Sequence, residues 1–133
     1  MRMWMCDPRI QCRQHLLGEW RELYTLSAIL QRHGRIDGYI ANDLLEPEYA
    51  LIRWHELHNE MLRRGYNVRD EEPVFNISYL SDEIRQHKIN REAALNELLN
   101  RCHMCKERYM MLLSGLDPTT GRTVQFLNYR DWS

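Results

Sequence analysis

The segment from Arg13 to Gly34, RQHLLGEWRELYTLSAILQRHG, constrains the fold more than any other stretch. Leu16, Trp20, Leu23, Ser27 and Leu30 recur at the stagger of one helix face, and only Ser27 among them is polar. A stripe of that kind is stable only when buried against other elements, so the chain must build its core on this helix. The expected span is Arg13 to Arg32, with His33-Gly34 as the stop and the glycine taking the left-handed conformation.

Two further helices are expected. Pro47 suits the first turn of one, which carries Leu51, Trp54, Leu57 and Met61 and runs to Arg64 before Gly65. Asn90 is a good N-cap for the other. That helix places Ala94, Leu95, Leu98, Leu99, Cys102, Cys105, Tyr109 and Leu112 on one side and stops at Gly115. Residues 34–46 and 65–89 read as loops, the latter with one short turn after Ser81, and residues 1–12 as an extended arm that Pro8 keeps from starting a helix. The expected fold class is therefore all-α: a single compact domain of three main helices with long loops and an extended N-terminal arm. Residues 1–115 form the helical domain, and 116–133 form an irregular tail with turn signals at Asp117-Pro118 and Thr120-Gly121.

The 133 residues suffice for one core, and 44% hydrophobic with 28% charged residues is ordinary for a globular protein. No apolar run has the length of a membrane span or of a signal-peptide core, so a cytoplasmic monomer without a membrane partner is expected. The formal net charge of -1 is unlike that of most nucleic-acid binders. Its distribution is less even: residues 1–35 hold six Lys/Arg against three Asp/Glu, residues 36–82 four against ten, and residues 83–133 eight against six. One basic face is compatible with that pattern. Zinc would require Cys6 and Cys12 to meet the Cys102-x-x-Cys105 pair, and the first spacing is looser than a zinc knuckle's. Cys102 and Cys105 fall on the leucine stripe, where cysteine acts as a small core residue, so no metal and no cofactor are expected. His55 and His58 are three apart and do not match the zinc-protease pattern, which needs histidines four apart.

The polar side of the first helix stands out. Gln14, His15, Gly18, Arg21 and Glu22 share an arc of roughly 120° at 100° per residue. A glycine inside a helix costs about 1 kcal/mol against alanine, so Gly18 reads either as a site of close approach by a backbone or a ligand or as one poor helix residue on a solvated face.

Taken together, "MRMW", "RQHLLGEWREL" in the first helix and "LRRGYNVRD" closing the second resemble the pyrimidine-dimer DNA glycosylase family, the endonuclease V type of phages and bacteria. The resemblance implies cleavage of the glycosidic bond of a cyclobutane pyrimidine dimer followed by nicking of the abasic strand. It implies double-stranded DNA containing dimers or abasic sites as the partner, in the nucleoid of a bacterial or phage-infected cell. The family's nucleophile is the α-amino group of the mature N-terminal residue. Aligning Arg21-Glu22 with the family's Arg-Glu pair puts that residue at Met1, and the bulky Arg2 should protect Met1 from removal. An α-amine has an ordinary pKa of about 7.7–8.0 against about 10.4 for lysine, so it is the readier nucleophile near neutral pH. Glu22 is implied as the acid/base group, and Arg2, Gln14, His15 and Arg21 match positions that contact DNA or shape the site.

Two departures accompany these matches. Thr25 stands where the phage enzyme has a second arginine, and "CHMCKERYMMLL" replaces an aromatic-rich cluster; the tail's Phe126, Tyr129, Arg130 and Trp132 could offer stacking and charge or could instead dock on the core. An abasic or oxidised-base lyase without dimer specificity, and a noncatalytic DNA- or protein-binding helical domain, are the alternatives.

Overall fold

A computed structural model describes residues 1–124, so the tail residues Phe126, Tyr129, Arg130 and Trp132 lie outside it. The described residues are helical, with six α-helices and no strand beyond one isolated bridge. These are α1 (Arg13–Gln31), α2 (Asp37–Ala41), α3 (Ala50–Arg63), α4 (Asp82–Arg85), α5 (Arg91–Arg101) and α6 (His103–Leu113), with 3-10 turns at Pro8–Ile10 and Pro47–Tyr49.

The core forms where α1 meets α3. Leu16, Leu23, Leu26 and Leu30 of α1 are buried against Trp54, Leu57 and Met61 of α3, joined by Ile36, Leu45 and Leu98. Full burial of such side chains contributes roughly 1.5–3 kcal/mol each. Ser27 fits the stripe because its hydroxyl donates to the Val74 carbonyl at 2.6 Å, so that its own donor is paired.

The N-terminal arm is part of this core. Met3, Trp4 and Met5 are almost fully buried, and the Met3 N–H donates to the Leu44 carbonyl at 2.8 Å. Met5 lies in the left-handed region at φ 59°, a conformation held for a non-glycine residue only where its surroundings fix it. Arg53 supplies one such constraint, donating from Nη1 to the Cys6 carbonyl at 2.7 Å.

Three expectations require correction. The helix from Asn90 to Gly115 is broken at Cys102, whose extended backbone (φ −123°, ψ 109°) separates α5 from α6. The loop between Gly34 and Glu46 contains α2. At the end of α1 it is His33, at φ 55°, that adopts the left-handed conformation. Gly34 is required for a different reason: a Cβ there would stand 2.7 Å from Ile29 Cγ2 and 3.0 Å from the Ile29 carbonyl oxygen. In the described part of the tail, Leu116 and Thr123 form an antiparallel bridge around the Asp117–Gly121 turn.

Candidate active-site cleft

Two grooves flank the Arg13–Tyr24 part of α1. The first, of ≈ 480 Å³, is bounded by Met1, Arg2 and Trp4 of the arm, by Gln14, His15, Gly18 and Glu22 of α1, and by Arg101 of α5. The arm and the helix are joined directly, because the Arg2 backbone N–H donates to Glu22 Oε2 at 3.0 Å. The Met1 α-amine is three bonds from that amide nitrogen, hence within about 4 Å of it. Among the described residues, no carboxylate forms an ion pair with the Met1 amine.

Gly18 forms an open part of the wall. A Cβ at this position would have no neighbour within 4 Å, so the arm does not press against it. The missing side chain instead leaves space between Gln14 and Glu22, one turn away on either side.

Arg2 is already engaged. Its Nη1 contacts Glu97 Oε2 at 2.6 Å, and its guanidinium lies 3.8 Å from the Trp4 ring centroid. Arg101 meets the other oxygen of Glu97 at 2.6 Å and lies 5.5 Å from the same ring. The hydrogen bond from Arg2 holds the Glu97 carboxyl below its usual range, against a small opposing effect of burial. Nothing in the sequence pattern marks Trp4, Glu97 and Arg101 as a site, although Glu97 and Arg101 have the i, i+4 spacing of a helical ion pair.

Arg21 belongs to the other groove. This groove, of ≈ 780 Å³, is lined by Arg13, Leu17, Trp20, Arg21, Tyr24, Tyr66 and Arg69 among others, with no carboxylate in its wall. Arg13 lies over Tyr66 at 4.5 Å and Arg69 over Tyr24 at 3.7 Å, each measured to the ring centroid. The polar arc of α1 is thereby divided: Gln14, His15, Gly18 and Glu22 face one groove, and Arg21 faces the other.

Beneath the first groove lies an ionic network that the apolar pattern did not disclose. Glu19 and Arg53 are fully buried and form a bidentate pair, Nε to Oε2 at 2.6 Å and Nη2 to Oε1 at 2.9 Å. Gln11 Nε2 donates to Glu19 at 2.9 Å, and Arg53 also reaches Glu56 at 3.0 Å. Burial acts to lower the Arg53 pKa, but the charge and hydrogen bonds of Glu19 outweigh it and hold the guanidinium well above its usual value. Glu19 itself borders the groove, so the network ties the arm, α1 and α3 together at its edge.

His15 has a second environment. Its Nδ1 lies 3.2 Å from Cys12 Sγ and 3.7 Å from Cys105 Sγ, while its ring meets Trp4 edge-on at 6.0 Å between centroids. Cys12, Cys102 and Cys105 surround that nitrogen. Cys6 does not join them; it is buried beside Arg53, and burial pushes its thiol up to about 12.

The family model described as pyrimidine dimer DNA glycosylase matches residues 1–72, which comprise the arm and α1 to α3. The chain belongs to this family. Comparison with curated proteins and with solved structures gives no significant match. As a member of the pyrimidine dimer DNA glycosylase family the chain is a DNA-repair enzyme of the glycosylase class, with DNA as its substrate. The matched segment supplies Met1, Arg2, Gln14, His15, Gly18, Arg21 and Glu22, whereas Arg101 in the cleft wall and its ion-pair partner Glu97 lie beyond it.

Proposed function

We propose that this enzyme removes the pyrimidine of a cyclobutane dimer and then cleaves the abasic strand, using the Met1 α-amine as nucleophile and Glu22 as acid/base group. The observation that carries the reading is the hydrogen bond from the Arg2 amide to Glu22, because it fixes a carboxylate beside the chain's own terminal amine.

The neutral amine attacks C1′ of the damaged nucleotide, the N-glycosidic bond breaks, and the pyrimidine leaves with the bonding electrons and takes up a proton. Loss of one amine proton, followed by opening of the sugar ring as O4′ takes up a proton, gives an iminium between Met1 and C1′ that keeps the other N–H. The iminium acidifies C2′–H. Removal of that proton by Glu22 drives β-elimination, which expels the 3′ phosphate, and water then hydrolyses the iminium to free the amine. A carboxylate held by a backbone amide can stabilise the cationic sugar and later accept the C2′ proton without moving far. The space beside Gly18 suits the sugar.

DNA is held, on this reading, by the second groove. Arg13, Arg21 and Arg69 supply charge for phosphates, and Tyr24 and Tyr66 would offer ring faces to a nucleotide turned out of the stack once Arg69 and Arg13, which lie over them, turn to phosphate. Arg2 would reach phosphate only by exchanging Glu97 for it. Gln14 and His15 would shape the catalytic cleft.

Borohydride trapping tests the mechanism. A covalent adduct is expected on both dimer-containing and abasic DNA, and it should vanish when the terminus is acetylated or extended. An adduct on abasic DNA alone would reduce the function to an abasic-site lyase. An undiminished adduct with the blocked terminus would remove Met1 from the chemistry.

A further inference from the structure

The break at Cys102 lacks the usual sequence causes. Helices kink at proline, at glycine-serine pairs or where a group inserts into the ladder, yet Arg101-Cys102-His103-Met104 contains neither proline nor glycine. What the extended Cys102 backbone does is turn its sulfur toward the start of α1.

There the sulfur meets three other donors. Cys12 Sγ is 3.8 Å from Cys102 Sγ and 3.2 Å from His15 Nδ1, Cys105 Sγ is 3.7 Å from the same nitrogen, and all four donor atoms lie within 4.8 Å of one another. Zinc–sulfur bonds of about 2.3 Å and zinc–nitrogen bonds of about 2.0–2.1 Å at tetrahedral angles require edges of about 3.8 Å between sulfurs and about 3.6 Å from sulfur to nitrogen. The Cys12–Cys102 and Cys105–His15 edges have these lengths, the Cys12–His15 edge is shorter at 3.2 Å, and small side-chain shifts within the 4.8 Å cluster close the shell around a single ion. A disulfide would bring two sulfurs to about 2.05 Å, and all four cysteines are free thiols.

The sequence spacing agrees: Cys12-x-x-His15 and Cys102-x-x-Cys105 are two knuckle-like pairs, which pairing Cys6 with Cys12 obscured. Backbone groups are also in place to stabilise thiolates. The Cys12 N–H points at Cys105 Sγ at 3.2 Å, and the Cys105 N–H at Cys102 Sγ at 3.4 Å, at the start of α6.

We propose that Cys12, His15, Cys102 and Cys105 bind one zinc ion as a closed structural site. Three thiolates and one imidazole fill a tetrahedral shell and leave no position for water, which distinguishes the site from a hydrolytic zinc. The ion would pin the α5–α6 junction to the start of α1 and orient His15 and Arg101 in the cleft wall, while taking no part in the reaction.

The test uses untagged full-length protein purified without chelator. Elemental analysis is expected to give about one zinc per chain, and cobalt substituted for zinc should show thiolate-to-metal charge transfer with tetrahedral d–d bands. Cys105→Ser should weaken zinc affinity by roughly tenfold or more, since even the loss of an outer hydrogen-bond partner has effects of that order. Cys6→Ser should leave zinc content unchanged. Metal-free protein that gives no thiolate charge transfer with cobalt would overturn the site, as would a Cys12–Cys102 disulfide in freshly isolated protein. Cobalt spectroscopy on the unmutated chain decides the question even where the serine variant fails to fold.

Discussion

Gly18 separates the stability of α1 from the use of its cleft, and two substitutions there act in different directions. A methyl group at this position meets nothing within 4 Å, so Gly18→Ala carries no steric cost and recovers the full helix-propensity difference, about 1 kcal/mol. With an unfolding entropy of about 2.1 cal/mol/K per residue over 133 residues, that corresponds to a rise in Tm of about 3–4 °C. Gly18→Leu gains nearly the same helix propensity but extends an isobutyl group into the space between Gln14 and Glu22. Thermal unfolding should show both variants stabilised. Single-turnover cleavage of dimer-containing DNA should show the alanine variant close to the parent and the leucine variant slowed at least tenfold. A leucine variant that is stabilised and fully active would show that the sugar does not enter beside Gly18. An alanine variant that is destabilised would show that the position is not open.

Other expectations concern separate parts of the molecule. Glu22→Gln should suppress strand cleavage while leaving DNA binding nearly intact in a mobility-shift assay; full activity would remove Glu22 from the acid/base role. Arg53→Met strands the Glu19 carboxylate in the core and should cost about 3–5 kcal/mol in urea unfolding. Replacing Arg13, Arg21 and Arg69 together by alanine should flatten the dependence of log K on log salt by about 0.9 for each phosphate that is no longer neutralised, and an unchanged slope would place the DNA elsewhere. Cys6, with its thiol near 12, should resist iodoacetamide at neutral pH until the protein unfolds.

The helical class and the leading role of α1 were legible because apolar spacing records burial directly: Leu16, Leu23 and Leu30 are all enclosed. Glu22 and the arm were legible through the resemblance, and their contact follows from Arg2 and Glu22 meeting across twenty residues. Glu19 was not, because a buried glutamate has the same letter as an exposed one and its partner, Arg53, is on another helix. The end of α1 was misplaced by one residue because Gly34 serves packing against Ile29 while His33 accepts the left-handed turn. The thiol cluster escaped for a related reason. Its fourth member is a histidine one turn beyond Cys12, and cysteine spacing alone pairs Cys12 with Cys6 instead.

Because α1 forms a wall between two grooves, the spacing of its residues behaves like a reading frame. Arg21 and Glu22 are adjacent in the chain yet face different compartments, one basic and one holding the carboxylate. A single residue inserted before them would rotate both by about 100°, disengaging the acid from the Arg2 amide and swinging the arginine off its groove. Substitutions along this helix can therefore be graded, whereas insertions and deletions between Gln14 and Glu22 should be inactivating whatever residue they add or remove.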